Sequence, residues 1–487
     1  MSPRIVALAL TVIVLAAQAV WAGPLQDDLK ARRARMMERL TPQSLAIVWS
    51  APTRVYSGDV DYEYRQDSNL LYLTGITQPD TILVLMPGNK TQREILFVSE
   101  PNPRREHWEG HILTKDEAEA ASGISTVYYV GQFEPFLAAM FAQQSFGSPR
   151  LAETKEYETF FAAVASGSAS LALPLGPPPA PSEPLGRVYE FANKARERFF
   201  GVGVRDTVGI LSNMRQVKSA YELTVLDQSA AISSDAHIAG MRAAKPGRFE
   251  YEVEAAIEHT YLSRGAMSWG YPSIVGSGPN ATILHYEASS RQMQDGDLLL
   301  VDAAANFQGY TVDITRTYPV NGRFTDAQKA VYRIILAAQD AGIRAAKAGN
   351  KTADISKAAA DVAKAGLLEL GLITDASGDQ YRTWYTHGSV HWIGMDVHDA
   401  GDYDRVLAPG MTFVIEPGVY IRQQALDNLP DTPENRAFKT AVAPAVAKFK
   451  DIGVRVEDSF VLTESGLKNL SAKVPRSIED IERTVGK

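Results

Sequence analysis

"GDLLLVD" spans residues 296–302 and "GMTFVIE" spans residues 410–416. Each opens on a glycine, runs through an apolar stretch of strand length, and reaches a carboxylate six residues after the glycine: Asp302 in the first, Glu416 in the second. Short apolar runs bounded by turn residues read as buried strands. A further strand is expected after each, carrying Asp313 in "TVDITRTYPV" and Glu457 in "GVRVEDSFVLT". Upstream, "RAAKPG" begins at Arg242 and "RAAKAG" at Arg344, each ending one helix-like stretch and preceding another. The order helix, helix, strand, strand therefore occurs twice, and four acids fall at matching points of two half-domains.

Taken singly, an acid at a strand end is a turn residue or a solvated edge. Four acids beside apolar strands are different, because burying ionised carboxylates costs several kcal/mol each unless cations compensate. Arg316 and Arg455 can neutralise part of that charge, but not all four. A pair of divalent ions can, given several carboxylates, some of them bridging, and a histidine. The missing imidazole has a source in "HGSVHWIGMDVHD", residues 387–399, which holds His387, His391 and His398. Gly388 and Gly394 argue against a helix there, so the histidines are expected on a turn or hairpin.

The rest of the chain bounds these readings. At 487 residues and 45% hydrophobic content it is expected to fold as two or more globular domains. A net charge of −8 without a long basic run gives no nucleic-acid footprint. With no cysteine, any metal must be held by His, Asp and Glu. Arg4, an apolar run over residues 5–20 and the small residues of "VWA" read as a secretory signal over residues 1–22, too short for a membrane anchor. An exported, periplasmic or secreted protein is expected, with no stable span once the signal is removed. Residues 23–215 alternate strand-like and helix-like runs: "TILVLMPG" from Thr81 and "REILFVSE" from Arg93 as neighbouring strands, "TKDEAEAASG" from Thr114 as a capped helix. The six prolines of residues 173–186 mark a loop. Residues 216–487 form the second domain, with Phe249, Val253, Ile257 and Tyr261 on one helix face.

Several stretches together resemble the Xaa-Pro aminopeptidase (aminopeptidase P) family of pita-bread metallopeptidases. "YRQDSNLLYLTG" (residues 64–75) looks like that family's N-terminal strand motif, and "MRQVKSAYEL" (214–223) like its interdomain junction. The catalytic matches are "IVGSGPNATILHY" (274–286), "VDAAANFQGYTVDITRTYPV" (301–320), "HGSVHWIGMDVHDAGDY" (387–403), "IEPGVY" (415–420) and "GVRVED" (453–458). The resemblance implies an α/β (α+β) fold, with a creatinase-like N-terminal α/β domain followed by a pseudo-twofold pita-bread catalytic domain. It implies Asp302, Asp313, His391, Glu416 and Glu457 as ligands of two divalent ions, Asp313 and Glu457 bridging. His285, His387 and His398 would line the substrate site, with Arg455 and Tyr420 orienting ligands and Trp108 reaching the site from the N-terminal domain or a neighbouring subunit. Ala304 and Phe307 depart from the family's usual glycine and tyrosine, without removing a ligand.

The expected reaction is release of the first residue from peptides with proline second, by a hydroxide bridging the metals, with Glu416 passing the proton to the leaving nitrogen. The oxygen-rich ligand set suits Mn²⁺, with Zn²⁺ or Co²⁺ able to take its place. A homodimer or homotetramer is the expected assembly. An Xaa-Pro dipeptidase shares the ligand set and is the first alternative. A peptide-binding relative without turnover is the second.

Overall fold

The computed structural model describes residues 23–146, 155–199 and 201–487; the secretory signal expected at residues 1–22 lies outside them. The chain divides into two compact units, one ending at Ile210 and the other running from Leu211 to Lys487.

The first unit is built on a six-stranded sheet in the order Val127–Tyr129, Glu94–Val98, Ile82–Leu85, Ser44–Trp49, Ser170–Leu173, Gly203–Asp206. Ile82–Leu85 and Glu94–Val98 are antiparallel neighbours, whereas Ser44–Trp49, Ser170–Leu173 and Gly203–Asp206 run parallel. The central strands are apolar except for Ser44 because both faces are buried, with Leu45, Ile47, Val84, Phe97 and Phe136 among the core residues. Helix Lys115–Ser122 starts from a capping box of Thr114 and Glu117 and ends on Gly123 in the left-handed conformation. Residues 174–186 carry no helix or strand, as six prolines demand.

The second unit repeats itself. Helices Ala220–Ala243 and Glu250–Ser263 precede the sheet Ile274–Ser277, Leu298–Asp302, Thr315–Pro319. Helices Asp326–Ala345 and Thr352–Glu369 precede the sheet Thr412–Ile415, Asp458–Thr463, Gly466–Asn469 and the ribbon Gly418–Ile421, Ile452–Arg455. The halves also share a packing device. A Cβ on Gly240 would stand 2.9 Å from Ile257, and one on Gly342 would stand 3.3 Å from Ile355 and 2.8 Å from Ile415. Both glycines lie two residues ahead of the "RAAK" repeat, at the point where each helix crosses its partner. Ile257 belongs to the buried face of Glu250–Ser263, with Val253 and Tyr261.

Two acids sit differently from expectation. Asp313 lies ahead of strand Thr315–Pro319, and Glu457 falls in the break between Ile452–Arg455 and Asp458–Thr463. The reason is that the ladders there give way to bonds between the halves. Asp313 N donates to Ser459 Oγ at 2.9 Å, Ser459 Oγ donates to Asp313 O at 2.7 Å, and Glu457 N donates to Thr315 O at 3.1 Å. Thr317 Oγ1 bridges to the backbone of Arg455 in the same way. The residues 422–451, whose role the sequence leaves unread, form helices Gln423–Asp427 and Pro433–Phe449 between the two strands of the ribbon.

Candidate metal centre

Strand Leu298–Asp302 delivers Asp302 at its end, paired with Thr315, and the stretch 389–393 runs beside 412–416. Val414 N donates to His391 O at 3.0 Å and Glu416 N to Ser389 O at 2.9 Å, which brings the glycine-containing loop and the second acid strand together. The loop is neither helical nor a regular hairpin, and His391 lies in it beside Trp392, which bridges Phe413.

The five residues named as ligands converge. His391 Nε2 lies 3.4 Å from Asp313 Oδ2 and 3.7 Å from both Glu416 Oε1 and Glu457 Oε1. Ligand atoms fall within 4.8 Å of one another in three overlapping sets: Asp302, Asp313 and Glu457; His391, Glu416 and Glu457; Asp313, His391 and His398. Asp302, Asp313, His391 and Glu457 are buried, and Glu416 is half-buried.

The electrostatics of this cluster are those of a site built for cations. Burial together with repulsion from Glu457 and Asp302 drives Asp313 well above the usual carboxylate range. Burial and the charge of Glu457 push Glu416 up to about 8. Burial also opposes the ionised form of Asp302, but the Arg455 guanidinium at 2.5 Å holds it below its ordinary value. His391 is raised despite its burial, because Asp313, Glu457 and Glu416 all favour its protonated form. A divalent cation would replace that proton and lower the carboxylates together.

Two details fit the donor set to hard divalent ions. His391 Nδ1 is 3.1 Å from the Trp392 carbonyl, so Nδ1 carries a proton and Nε2, on the side of the acids, is the nitrogen whose proton a cation would displace. Glu457 Oε1 is buried with no hydrogen-bond partner, while its other oxygen accepts from Thr315 Oγ1 at 2.6 Å. A buried carboxylate oxygen without a hydrogen-bond partner, 3.7 Å from an imidazole nitrogen, is an arrangement a metal would complete.

Around the cluster, Arg455 also donates to Tyr420 Oη at 2.7 Å and Thr315 Oγ1 at 3.0 Å. His387 Nε2 lies 2.8 Å from Tyr420 Oη and Nδ1 2.6 Å from the Gly388 carbonyl. Burial and the Arg455 charge lower His387 to about 4, so the imidazole is neutral. His398 packs against His391 with ring centroids 4.2 Å apart. Burial and the neighbouring charges of His391 and His285 lower it to about 4. His285 is exposed and close enough to His398 for their charges to interact. Trp108 belongs to the first unit, where it is 80% exposed on helix Pro103–Glu109. Arg316 does not serve the four acids at all: it pairs with Asp458 at 2.6 Å in a fully buried bridge and donates to the Glu457 carbonyl at 2.5 Å.

Sequence reasoning missed Tyr271. Its hydroxyl donates to Asp302 Oδ1 at 2.7 Å and also contacts Asp313 Oδ1, so it bridges two acids of the cluster. It stands three residues ahead of the "IVGSGPNATILHY" stretch, and no spacing rule singles it out.

With this geometry the comparisons are decisive. Residues 225–464 match metallopeptidase family M24, and residues 29–147 match the aminopeptidase P N-terminal domain. The Xaa-Pro aminopeptidase of Haemophilus influenzae is 32% identical over 94% of this chain and 96% of its own length. The chain belongs to the Xaa-Pro aminopeptidase (aminopeptidase P) family of pita-bread metallopeptidases. Among solved structures, the Pseudomonas aeruginosa aminopeptidase PepP is 33% identical, with a TM-score of 0.77 over 94% of this chain and 97% of that one. Escherichia coli aminopeptidase P, solved with the inhibitor Pro-Leu, is 30% identical, with a TM-score of 0.77 over 94% and 98%. Both domains of the fold, the N-terminal α/β unit and the pita-bread unit, are those of this family.

Proposed function

We propose that this member of the family removes the N-terminal residue from peptides with proline in second position, using two divalent cations. The observation that carries the reading is the overlap of the acid sets, in which Asp313 and Glu457 each belong to two groups and Asp302 and Glu416 to one each. Asp302, Asp313, His391, Glu416 and Glu457 would hold the pair. The oxygen-rich set suits Mn²⁺ ahead of Zn²⁺ or Co²⁺. When bound, such a pair lowers the pKa of water and polarises the scissile carbonyl.

The residues of the chain do the rest. Glu416, whose carboxyl burial and the charge of Glu457 push up to about 8, would take a proton from the attacking water and give it to the leaving proline nitrogen. His398, exposed and packed against His391, and His285, also exposed, would supply imidazole donors that stabilise charge on the carbonyl oxygen. Arg455 keeps Asp302 ionised and braces Tyr420, which in turn fixes His387. Read as a secretory signal, residues 1–22 would export the enzyme, and peptides in that compartment would be its substrates.

The test is to load the mature protein with Mn²⁺ and offer Xaa-Pro dipeptides beside Xaa-Pro-Yaa peptides. Cleavage of the longer set is expected. Cleavage of dipeptides alone would make the enzyme a dipeptidase, and binding without products would remove the catalytic assignment.

A further inference from the structure

Glu250 is the first residue of helix Glu250–Ser263 and is completely buried. Its carboxylate receives hydrogen bonds from Ser277 N at 2.6 Å, Ser277 Oγ at 2.7 Å, Asn280 Nδ2 at 3.1 Å, Tyr286 Oη at 2.9 Å and Arg291 N at 2.9 Å. Two of the five donors come from Ser277, the last residue of strand Ile274–Ser277, and three from its connection to Leu298–Asp302, whose only regular element is a single 3₁₀ turn at Gly278–Thr282. The backbone adds to this: Glu250 N donates to Arg291 O at 3.0 Å and Tyr251 N to Ser289 O at 2.8 Å. Arg291 closes the loop a second time, donating to Ser277 Oγ at 2.7 Å and pairing with Asp297 at 2.5 Å. A loop without a ladder must find partners for its polar groups elsewhere, and here one carboxylate supplies them at both ends.

The middle of this loop carries His285. Its neighbours Leu284 and Tyr286 pack against the buried cluster of Ile274, Ala281, Leu300 and Tyr420, while His285 itself is exposed. Leu284 and His285 form a turn, and with the neighbours on both sides packed inward the His285 side chain is left facing out of it. The outward side is where the charge of His285 acts on His398, the imidazole packed against His391.

We infer that Glu250 is a positioning residue for His285, fixing through Tyr286 and the loop ends the direction in which the imidazole is presented to substrate. The inference rests on the reading of His285 as a substrate-site residue. The competing account is that Glu250 only stabilises its own helix as an acid in the first turn. That account predicts loss of stability without any change at His285.

The experiment uses the full chain loaded with diamagnetic Zn²⁺ and two substitutions: Glu250→Gln, which puts a donor where donors arrive, and Tyr286→Phe, which deletes one hydroxyl and folds if the first does not. Both should shift or broaden the NMR signal of the His285 imidazole, identified by its absence from His285→Ala, while bound metal stays at the wild-type level. Glu250→Gln should lower kcat/KM on Xaa-Pro-Yaa peptides by roughly tenfold or more. In a His285→Ala background it should add less than about threefold, because coupled residues are not additive. A His285 signal unmoved in both variants overturns the inference, as does an undiminished Glu250→Gln effect where His285→Ala has already slowed turnover. If His285→Ala leaves turnover intact while the signal still moves in the other variants, positioning stands and the substrate role of His285 fails.

Discussion

Arg455 Nη2 and Asp302 Oδ2 meet at 2.5 Å in the buried interior of the second unit, joining a residue of the second half-domain to a metal-ligand candidate of the first. The same guanidinium reaches Thr315 Oγ1 at 3.0 Å, and Thr315 donates to Glu457 Oε2 at 2.6 Å. One planar fork therefore orients acids from both halves, a task an ammonium group cannot reproduce. Arg455→Lys should keep the fold but reduce kcat/KM by about 10–100-fold, the range found when a group orienting metal ligands is removed. Arg455→Met, which leaves Asp302 buried and unpaired, should also cost about 3–5 kcal/mol in urea unfolding. Wild-type kinetics in the lysine variant would show that the pair is not used to orient the site.

Asp313→Asn separates metal binding from folding. In the metal-free protein Asp313 is repelled by Glu457 and Asp302, so removing its charge should leave stability unchanged or raise it. In the presence of Mn²⁺ the order should invert. The wild type gains about 2.7 kcal/mol when free metal is a hundredfold above Kd, and the variant gains little. Thermal unfolding of both proteins with and without Mn²⁺, read beside turnover, checks this. An Asp313→Asn protein that is active and metal-loaded contradicts the ligand assignment.

His237 gives the fold a measurable dependence on pH. It is fully buried on helix Ala220–Ala243, with Nε2 2.9 Å from the Ala303 carbonyl, one residue past Asp302. Burial lowers its pKa from 6.5 to about 4; the Ala303 carbonyl opposes the shift and the Arg316 charge adds to it. Because the folded value is depressed, the neutral imidazole supports the fold fully above pH 6.5. That support is lost as pH falls towards 4, where only the unfolded chain takes up the proton. At about 1.4 kcal/mol per unit the difference amounts to about 3 kcal/mol. Stability measured from pH 7 to 4 should therefore fall less steeply in His237→Gln than in the wild type, and identical slopes would refute the assignment.

How much of this was legible from the chain depends on the range of the interaction. The strands ending at Asp302 and Glu416, the paired helices and the four acids could be read because apolar period, turn residues and the cost of buried charge are local properties. The entrance positions of Asp313 and Glu457 could not, since they depend on Ser459 and Thr315 across 146 and 142 residues. Tyr271 was illegible for the same reason. A tyrosine between a tryptophan-glycine and a proline says nothing until Asp302 and Asp313 are folded onto its hydroxyl. Arg316 was read as a partner for the site acids, whereas packing gives it to Asp458.

The loop of residues 387–399 is held by a charge clamp that the sequence also concealed. Asp399 is buried between Lys218, with Nζ 2.8 Å from Oδ2, and the Arg215 guanidinium, which also pairs with Asp396 at 2.6 Å. Burial opposes ionisation of Asp399, but the two cations keep its carboxyl below the usual range. The clamp explains Gly394: a Cβ there would stand 2.2 Å from Asp399 Oδ2 and 2.8 Å from Lys218 Nζ. Asp399→Asn leaves two buried cations facing a neutral amide and should destabilise the fold by about 3–5 kcal/mol. Gly394→Ala should act through the same contact, forcing the loop outward and lowering kcat/KM because His391 and His398 ride on it. The two effects share one clamp, so combining the substitutions should cost clearly less than their sum in urea unfolding. Full additivity would mean that the glycine and the carboxylate act independently, and the clamp would not be what sets the loop.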